Sequence, residues 1–279
     1  MTAIAVVGAG RVGLTLARAL SRSGHRVAVL GRSARRLPHD LGAAETAWRA
    51  PLTSAEVVIL AVPDDALAAT TAAVAATHAL GARQVVLHTS GRHGCTILEP
   101  LAAQGAAVAA AHPLQSFPDP DGSDPAILAG VPLVVTGDAA AIDAARRLAT
   151  ELAMGEVVTL PETGRVAYHA AAAIASNYLV VLADLAGRLA ASAGAGEGAE
   201  RLFVPILGQT LRHLEARGAA NALTGPIRRG DVETVSAHLG VLSGDDRAAY
   251  AILARLATGL AERAGLDPAA AAALRSTLD

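Results

Sequence analysis

The sequence predicts an α/β protein, a doubly wound parallel sheet followed by an all-α C-terminal domain. Three observations carry that reading. Short apolar runs alternate with helical stretches from Met1 to about Leu160, a glycine cluster links the first run to the first helix, and no strand pattern returns after Pro161. Strand and helix in alternation require right-handed crossovers, which build a mostly parallel sheet covered on both faces.

Strands are expected at Ile4 to Val7, Arg26 to Leu30, Val57 to Val62, Val85 to His88, Ala107 to Ala111, Pro132 to Thr136 and Glu156 to Leu160. Helices are expected between them at Leu14 to Ser23, Asp65 to Thr77 and Ala139 to Leu152. Further on, Glu162 to about Ala193 reads as one long helix, Asp231, Asp246 and Asp267 as helix N-caps, and Gly265 as a C-terminal stop. Ser116 to Gly130 and Ala193 to Ala199 have loop composition. With 279 residues there is room for two domains, placed at 1–160 and 161–279.

Composition excludes several chemistries. The chain is 52% hydrophobic with a net charge of -2, a globular balance and not a disordered one. All 23 basic residues are arginine, so no Schiff-base lysine, phosphate-loop lysine or lysine acid–base group is available. Only Trp48, Phe117, Tyr168, Tyr178, Phe203 and Tyr250 are aromatic, too few for base-stacking platforms, and the arginines form no stripe; nucleic acid is not expected as a partner. A single cysteine, Cys95, excludes an internal disulfide and a cysteine zinc cluster. The apolar run before Gly8 is too short for a signal peptide, and polar residues interrupt Val166 to Ala183 before the roughly 20 apolar residues of a membrane span accumulate. A cytoplasmic protein without a membrane partner is expected.

Gly8-Ala9-Gly10-Arg11-Val12-Gly13 follows the first strand and opens the first helix. In a Rossmann-type βαβ unit the first glycine permits the tight turn, the second lets the backbone approach a pyrophosphate, and the third allows close helix–strand packing. The helix N-terminus adds amide donors for the phosphates. At the end of the second strand an NAD site carries a carboxylate for the ribose hydroxyls, but here the sequence reads Gly31-Arg32-Ser33. Arg32 and Ser33 suit a 2′-phosphate, so NADP(H) is the expected cofactor. Val62 and Pro63, at the end of the third strand, are expected to border it.

Two later strands end in polar clusters. His88-Thr89-Ser90-Gly91 follows one, and His112-Pro113-Leu114-Gln115-Ser116-Phe117 follows the other. Ligands of doubly wound sheets lie beyond the carboxyl ends of the strands, so both clusters fall where a substrate would sit. On the long helix Tyr168, His169, Ser176 and Asn177 interrupt an apolar face, and the spacing of eight lets His169 and Asn177 address one cleft. Thr224 to Asp231 reads either as a capped turn or as an anion-binding corner built from Thr224 with Arg228 or Arg229.

Nearly end to end, these residues resemble the bacterial Rossmann-like proteins that carry a C-terminal helical domain of unknown function. Carrying the resemblance are the GxGxxG start, His88 to Gly91, His112 to Phe117, Tyr168-His169 with Asn177, and Thr224 to Asp231. More distantly the chain is similar to pyrroline-5-carboxylate reductase, ketopantoate reductase and the 3-hydroxyacid dehydrogenases, which implies NAD(P)-linked redox chemistry and a dimerising helical domain. The 3-hydroxyacid dehydrogenases present a lysine four residues before the asparagine; here Ala173 precedes Asn177.

Other chemistry fits poorly. The acidic run from Asp119 to Asp124 would need Glu at the twelfth position of a calcium loop, and Gly130 stands there. No HExxH or paired-cysteine spacing supports a metal site, and Thr89-Ser90-Gly91 lacks the first glycine of a hydrolase elbow. The expected activity is NADPH-dependent reduction of a small carbonyl substrate such as a 2-oxo acid. His112 or His169 would donate the proton, Ser90 and Asn177 would orient the substrate, and His88, Gln115, Ser116, Thr224, Arg228 and Arg229 would line its site. Cyclic imine reduction and a non-catalytic NADP-binding sensor are the alternatives. A homodimer through the apolar helical domain is expected.

Overall fold

The computed structural model describes residues 1–32, 37, 41, 45–119 and 124–279. The chain forms two compact units, Met1–Asn177 and Tyr178–Asp279.

In the first unit a seven-stranded sheet has the order β2-β1-β3-β4-β5-β6-β7, formed by Ala3–Val7 (β1), Arg26–Leu30 (β2), Val57–Leu60 (β3), Val85–His88 (β4), Ala107–Pro113 (β5), Leu133–Gly137 (β6) and Val157–Thr159 (β7). All seven expected strands form. Strand order reverses at β1, which pairs with β2 on one side and β3 on the other. Such a reversal opens a crevice beyond the carboxyl ends of the strands. Every pairing is parallel except β5 with β6. β3 is two residues shorter than expected: Ala61 N–H still reaches Val7 C=O at 2.8 Å, but Pro63 has no amide to continue the ladder and the chain turns into a helix.

Alternate residues of the strands feed two apolar layers. Ile4, Val6, Val57 and Ile59 pack on one face with Leu14, Leu20, Ala141 and Ala145, from the helices Arg11–Arg22 (α1) and Ala139–Glu151 (α5). Ala5, Val7, Val58 and Leu60 pack on the other with Leu52, Leu67, Val74 and Leu101, from Arg49–Ser54 (α2), Asp64–Ala76 (α3) and Glu99–Ala102 (α4). Burial of both faces explains why the strands read as continuous apolar runs.

The second unit is helical: Asn177–Ala190 (α7), Val204–Ala222 (α8), Pro226–Arg229 (α9), Val232–Val241 (α10), Gly244–Arg263 (α11) and Pro268–Leu278 (α12). Val235, Leu239, Ala254, Ala261, Ala271 and Leu274 form its core. Asp231 and Asp267 cap their helices by accepting from the Thr234 and Ala270 amides, and Gly265 ends α11 at φ +89. Asp246 lies instead within the first turn of α11, behind Ser243.

The long helix expected from Glu162 is divided. A 3-10 turn at Glu162–Gly164 leads into Arg165–Ala175 (α6), and Ser176, at φ -111 and ψ -66, separates α6 from α7. Ser176 and Asn177 are adjacent weak helix formers in the middle of this alanine-rich run. The run Glu162–Ala195 is nonetheless long and apolar enough, by length and composition, to cross a bilayer, contrary to the sequence estimate. Only 6% of its most apolar window is buried.

Candidate active site

A cavity of about 440 Å³ lies beyond the carboxyl ends of β1, β2 and β3. Gly8, Ala9 and Gly10 line it from the first turn, Gly31 and Arg32 from the end of β2, and Val62 and Pro63 from the end of β3. The three glycines of the motif serve different purposes. Gly8 sits at φ +117, and a Cβ there would lie 2.3 Å from Ala61 O; one on Gly13 would lie 2.0 Å from Gly8 O. Both are required by the protein's own packing. Gly10 has an extended backbone that any residue adopts, and a Cβ there would meet nothing within 4 Å. It would project only into the open cradle where a pyrophosphate fits. The amides of Arg11, Val12 and Gly13 precede the first helical bond, from Leu14 N–H to Gly10 C=O, and have no intrahelical acceptor.

Of the expected cofactor residues, Arg11, Val12 and Gly13 stand in the first turn of α1 and contribute backbone: the Arg11 side chain is exposed, Val12 packs on the core, and Gly13 is buried. Ser33 lies outside the described residues. The sequence reading missed Trp48. Its indole lines the same cavity and donates to Gly31 C=O at 3.0 Å, closing the end of β2 together with Glu45, whose amide donates to Val29 C=O and whose carbonyl accepts from Gly31 N–H. A lone tryptophan in an irregular stretch was the only available signal.

A second cavity, of about 680 Å³, opens at the end of β5. It brings together His112, Gln115 and Ser116 from β5 and its following loop with Tyr168, His169 and Asn177 from the paired helices. His169 and Asn177 share this cavity despite the break at Ser176. His112 Nδ1 lies 2.7 Å from the Tyr168 hydroxyl, and the His112 and His169 rings meet edge to face at 6.5 Å. A Cβ on Gly91 would lie 2.7 Å from His169 Cδ2 and 3.0 Å from His112 Nε2, so the turn after β4 packs against both imidazoles.

Two expected site residues lie beneath that turn and do not line the cavity. His88 is fully buried, with Nδ1 accepting from Ser90 N–H at 3.2 Å and Nε2 donating to Gly94 C=O at 2.8 Å. The Ser90 hydroxyl accepts from His93 N–H at 3.1 Å. Both shape the turn. Thr224, Arg228 and Arg229 belong to the second unit, where Arg228 donates to Ala264 C=O at the end of α11 and Arg229 stands 3.9 Å from the Asp231 carboxylate. There the capped-turn reading describes the local geometry.

Arg165, which the sequence reading passed over, is the largest fully buried side chain among the described residues. Its guanidinium donates to Ser90 C=O at 2.6 Å, to Val134 C=O at 3.2 Å and to His93 C=O at 3.2 Å. Among the described residues no carboxylate pairs with it. Three residues earlier, Glu162 accepts from Cys95 N–H at 2.9 Å and Thr96 N–H at 3.3 Å. The start of α6 thus grips the segment after β4 twice.

These charges set the protonation of the site. Burial, then the Arg165 cation and His169, hold the His112 imidazole down at about 4, and burial holds His88 at about 4 as well. Burial pushes the Tyr168 phenol above its usual value, while Arg165 pulls the other way. Burial also raises the Cys95 thiol to about 11, with the Glu162 carboxylate adding to the shift, so the only cysteine is an unreactive thiol at neutral pH.

A dinucleotide-type α/β sheet with a cavity at the carboxyl end of β5 that holds a cluster of polar side chains among alanines defines the class. The chain belongs to the family of the domain of unknown function DUF2520, which matches residues 131–275, and residues 2–113 match a Rossmann-like domain. No curated protein matches it significantly. Among solved structures, a Thermotoga maritima protein is 26% identical with a TM-score of 0.72, covering 93% of this chain and 98% of its own. A Bacteroides fragilis protein, provisionally named an NADP oxidoreductase, is 21% identical with a TM-score of 0.69 over 92% and 98%. Plasmodium falciparum pyrroline carboxylate reductase with NADP bound is 10% identical with a TM-score of 0.60 over 100% and 98%. The last two likenesses are likenesses of fold.

Two outcomes follow from this geometry. Gly10→Val should abolish dinucleotide binding in calorimetry while leaving the melting temperature nearly unchanged, because its side chain enters only the cradle; retained binding would remove the cradle from this turn. His88 is held neutral at about 4 against 6.5 in the unfolded chain. Its contribution is therefore complete above pH 6.5 and lost as pH falls toward 4, by at most about 3 kcal/mol. The urea midpoint should drop over that interval, and His88→Gln, weaker at pH 7, should lose less. Parallel losses in both proteins would place the acid sensitivity elsewhere.

Proposed function

We propose that the protein is an NADPH-dependent reductase of a small carbonyl compound, working in the cytoplasm. The observation that carries the proposal is the Gly10 position: its backbone does not require glycine and its missing side chain leaves the strand-end cradle open. Arg32 at the rim of that cavity, where an NAD site has a carboxylate, supports NADPH over NADH. The fold shared with pyrroline carboxylate reductase carrying NADP agrees with that choice.

NADPH, when bound, supplies a hydride. The chain supplies the rest. Arg32 would hold the 2′-phosphate, and the amides opening α1 would hold the pyrophosphate. Ser116 and Asn177 offer neutral donors and acceptors that orient a carbonyl in the second cavity, while the Gln115 amide, expected to share that task, donates to Ile127 C=O at 3.2 Å and accepts from Ser116 N–H at 2.8 Å. His112, expected as a proton donor, is uncharged near neutrality, and an imidazolium of such low pKa is mostly absent at pH 7.

The second unit is proposed to pair with a second copy of the chain. Tyr178, Val180 and Val181 on α7, Val204, Ile206 and Leu211 on α8, and Ile252 and Leu256 on α11 are all exposed. Soluble monomers rarely expose so much apolar surface. The Arg188–Asp246 ion pair at 3.2 Å interrupts it, a pattern suited to a protein interface and not to lipid.

NADPH should bind at least tenfold more tightly than NADH, read by quenching of Trp48 emission, and Arg32→Ala should remove most of that preference, since a charge-assisted pair is worth about 1.5–3 kcal/mol. Tighter NADH binding would overturn the cofactor assignment. A screen of carbonyls and cyclic imines tests the substrate class, and turnover confined to cyclic imines would replace the carbonyl. Light scattering at micromolar concentration should report a dimer, and Val181→Glu with Ile206→Glu should yield monomers; a monomeric wild type would end the pairing proposal.

A further inference from the structure

The reductase reading leaves the proton unassigned. Two histidines and a tyrosine meet at the cavity, and their geometry separates them. Tyr168 lies in the first turn of α6, lines the cavity and is half-buried. Its hydroxyl touches His112 Nδ1 at 2.7 Å, and its ring lies 5.6 Å from the Arg165 guanidinium carbon. His112 is wedged between the Gly91 turn and the His169 ring, with Nδ1 committed to Tyr168. Arg165 donates only to neutral carbonyls, so its charge is unopposed by direct contact with any carboxylate among the described residues.

On the reductase reading, we propose that Tyr168 delivers the proton to the reduced substrate, with His112 as its hydrogen-bond partner and Arg165 as the buried cation that stabilises the resulting tyrosinate. The carbonyl carbon takes the hydride, and the carbon–oxygen π pair moves onto oxygen. That oxygen takes the phenolic proton of Tyr168, whose O–H bond breaks. His112 in its Nδ1–H form donates to the phenol oxygen, which leaves the phenolic hydrogen free to point into the cavity. A proton from solvent then restores the phenol, directly or through His112, so that the carbonyl is reduced by the two electrons of the hydride and NADPH is oxidised to NADP⁺.

Electrostatics support this order of roles. A phenol raised by burial is fully protonated at neutral pH, whereas an imidazole held at about 4 is not an imidazolium there. The groups acting on the pair are Arg165, His169, His88 and, from the start of α3, Asp64. Arg165 carries a permanent positive charge, and a cation beside a phenol favours its ionised form at the moment of transfer. Arg165 touches neither substrate nor cofactor; it is a positioning residue. In a chain without lysine, arginine fills this place.

The test measures steady-state NADPH oxidation against pH, with neutral carbonyls and cyclic imines, for the wild type and four variants. Tyr168→Phe should lose on the order of 10²–10³-fold in kcat with the NADPH dissociation constant unchanged. Wild-type kcat should be flat from pH 5.5 to 8 and fall only on the alkaline side. His112→Ala and Arg165→Lys should move that alkaline limb while leaving NADPH binding intact, a shift that mere loosening of the turn would not produce. A Tyr168→Phe enzyme at wild-type kcat, or an active wild type with an acid-side limb that vanishes in His169→Ala, overturns the assignment and leaves the reductase reading standing. A wild type that binds NADPH and oxidises none of it fails the reductase reading itself, and this assignment with it.

Discussion

Everything at the β5 end of the sheet depends on one buried guanidinium. Removing the Arg165 charge from water costs several kcal/mol, and leaving its donors unpaired would add to that. Carbonyls of Ser90, His93 and Val134 satisfy it, two from the segment after β4 and one from β6. Charge-assisted bonds of this kind contribute about 1.5–3 kcal/mol each, enough to offset much of the desolvation. Because each acceptor is a backbone carbonyl, the bonds do not neutralise the cation. They fix the position of the β4 turn relative to α6 and leave a positive field across His88, His112 and Tyr168. Glu162 completes the attachment from the opposite charge: burial disfavours its carboxylate, but the bonds to Cys95 and Thr96 outweigh that and hold it below its ordinary range.

The absence of lysine acquires physical meaning in this setting. A lysine ammonium offers three donors around a point charge, whereas the planar guanidinium offers five in a fork that can reach several backbone acceptors at once. Arg165 uses that fork to join a helix to β6 and to the turn after β4 while remaining charged. A lysine-using reductase can place its cation in the cleft itself; here the cation stays behind the cavity wall and acts through the aromatic and imidazole groups that face it.

The sheet was readable because both of its faces are buried, so each strand is a continuous apolar run between turn residues. Glycine spacing located the dinucleotide turn for the same local reason. Direction was not readable: β5 and β6 are apolar runs like the rest, and nothing local in them distinguishes the antiparallel pairing. His112, His169, Gln115, Ser116 and Asn177 stood out as polar breaks in apolar patterns, and they share one cavity. His88 and Ser90 stood out by the same signal, yet the His88 ring bonds the Ser90 amide and Gly94 C=O, and the Ser90 hydroxyl accepts from His93 N–H. Sequence patterns mark a polar residue at a strand end without showing whether its partner is a ligand or its own turn. Arg165 and Trp48 escaped because their importance lies in contacts with residues 31 to 75 and 17 positions away.

The placement of the two cavities follows from β4. Beyond β1, β2 and β3 the strand ends are open and rich in glycine and alanine; beyond β5 they are open and hold the polar cluster of His112, Tyr168 and His169. Between these regions His88 closes the end of β4 by accepting from Ser90 and donating to Gly94, while Gly91 lets the turn lie flat against both imidazoles. β4 is therefore a partition, and its height is set by Gly91. A side chain there would displace His112 or His169 before it reached solvent. The turn is thus as small as the chain permits, and its position is held from behind by Arg165.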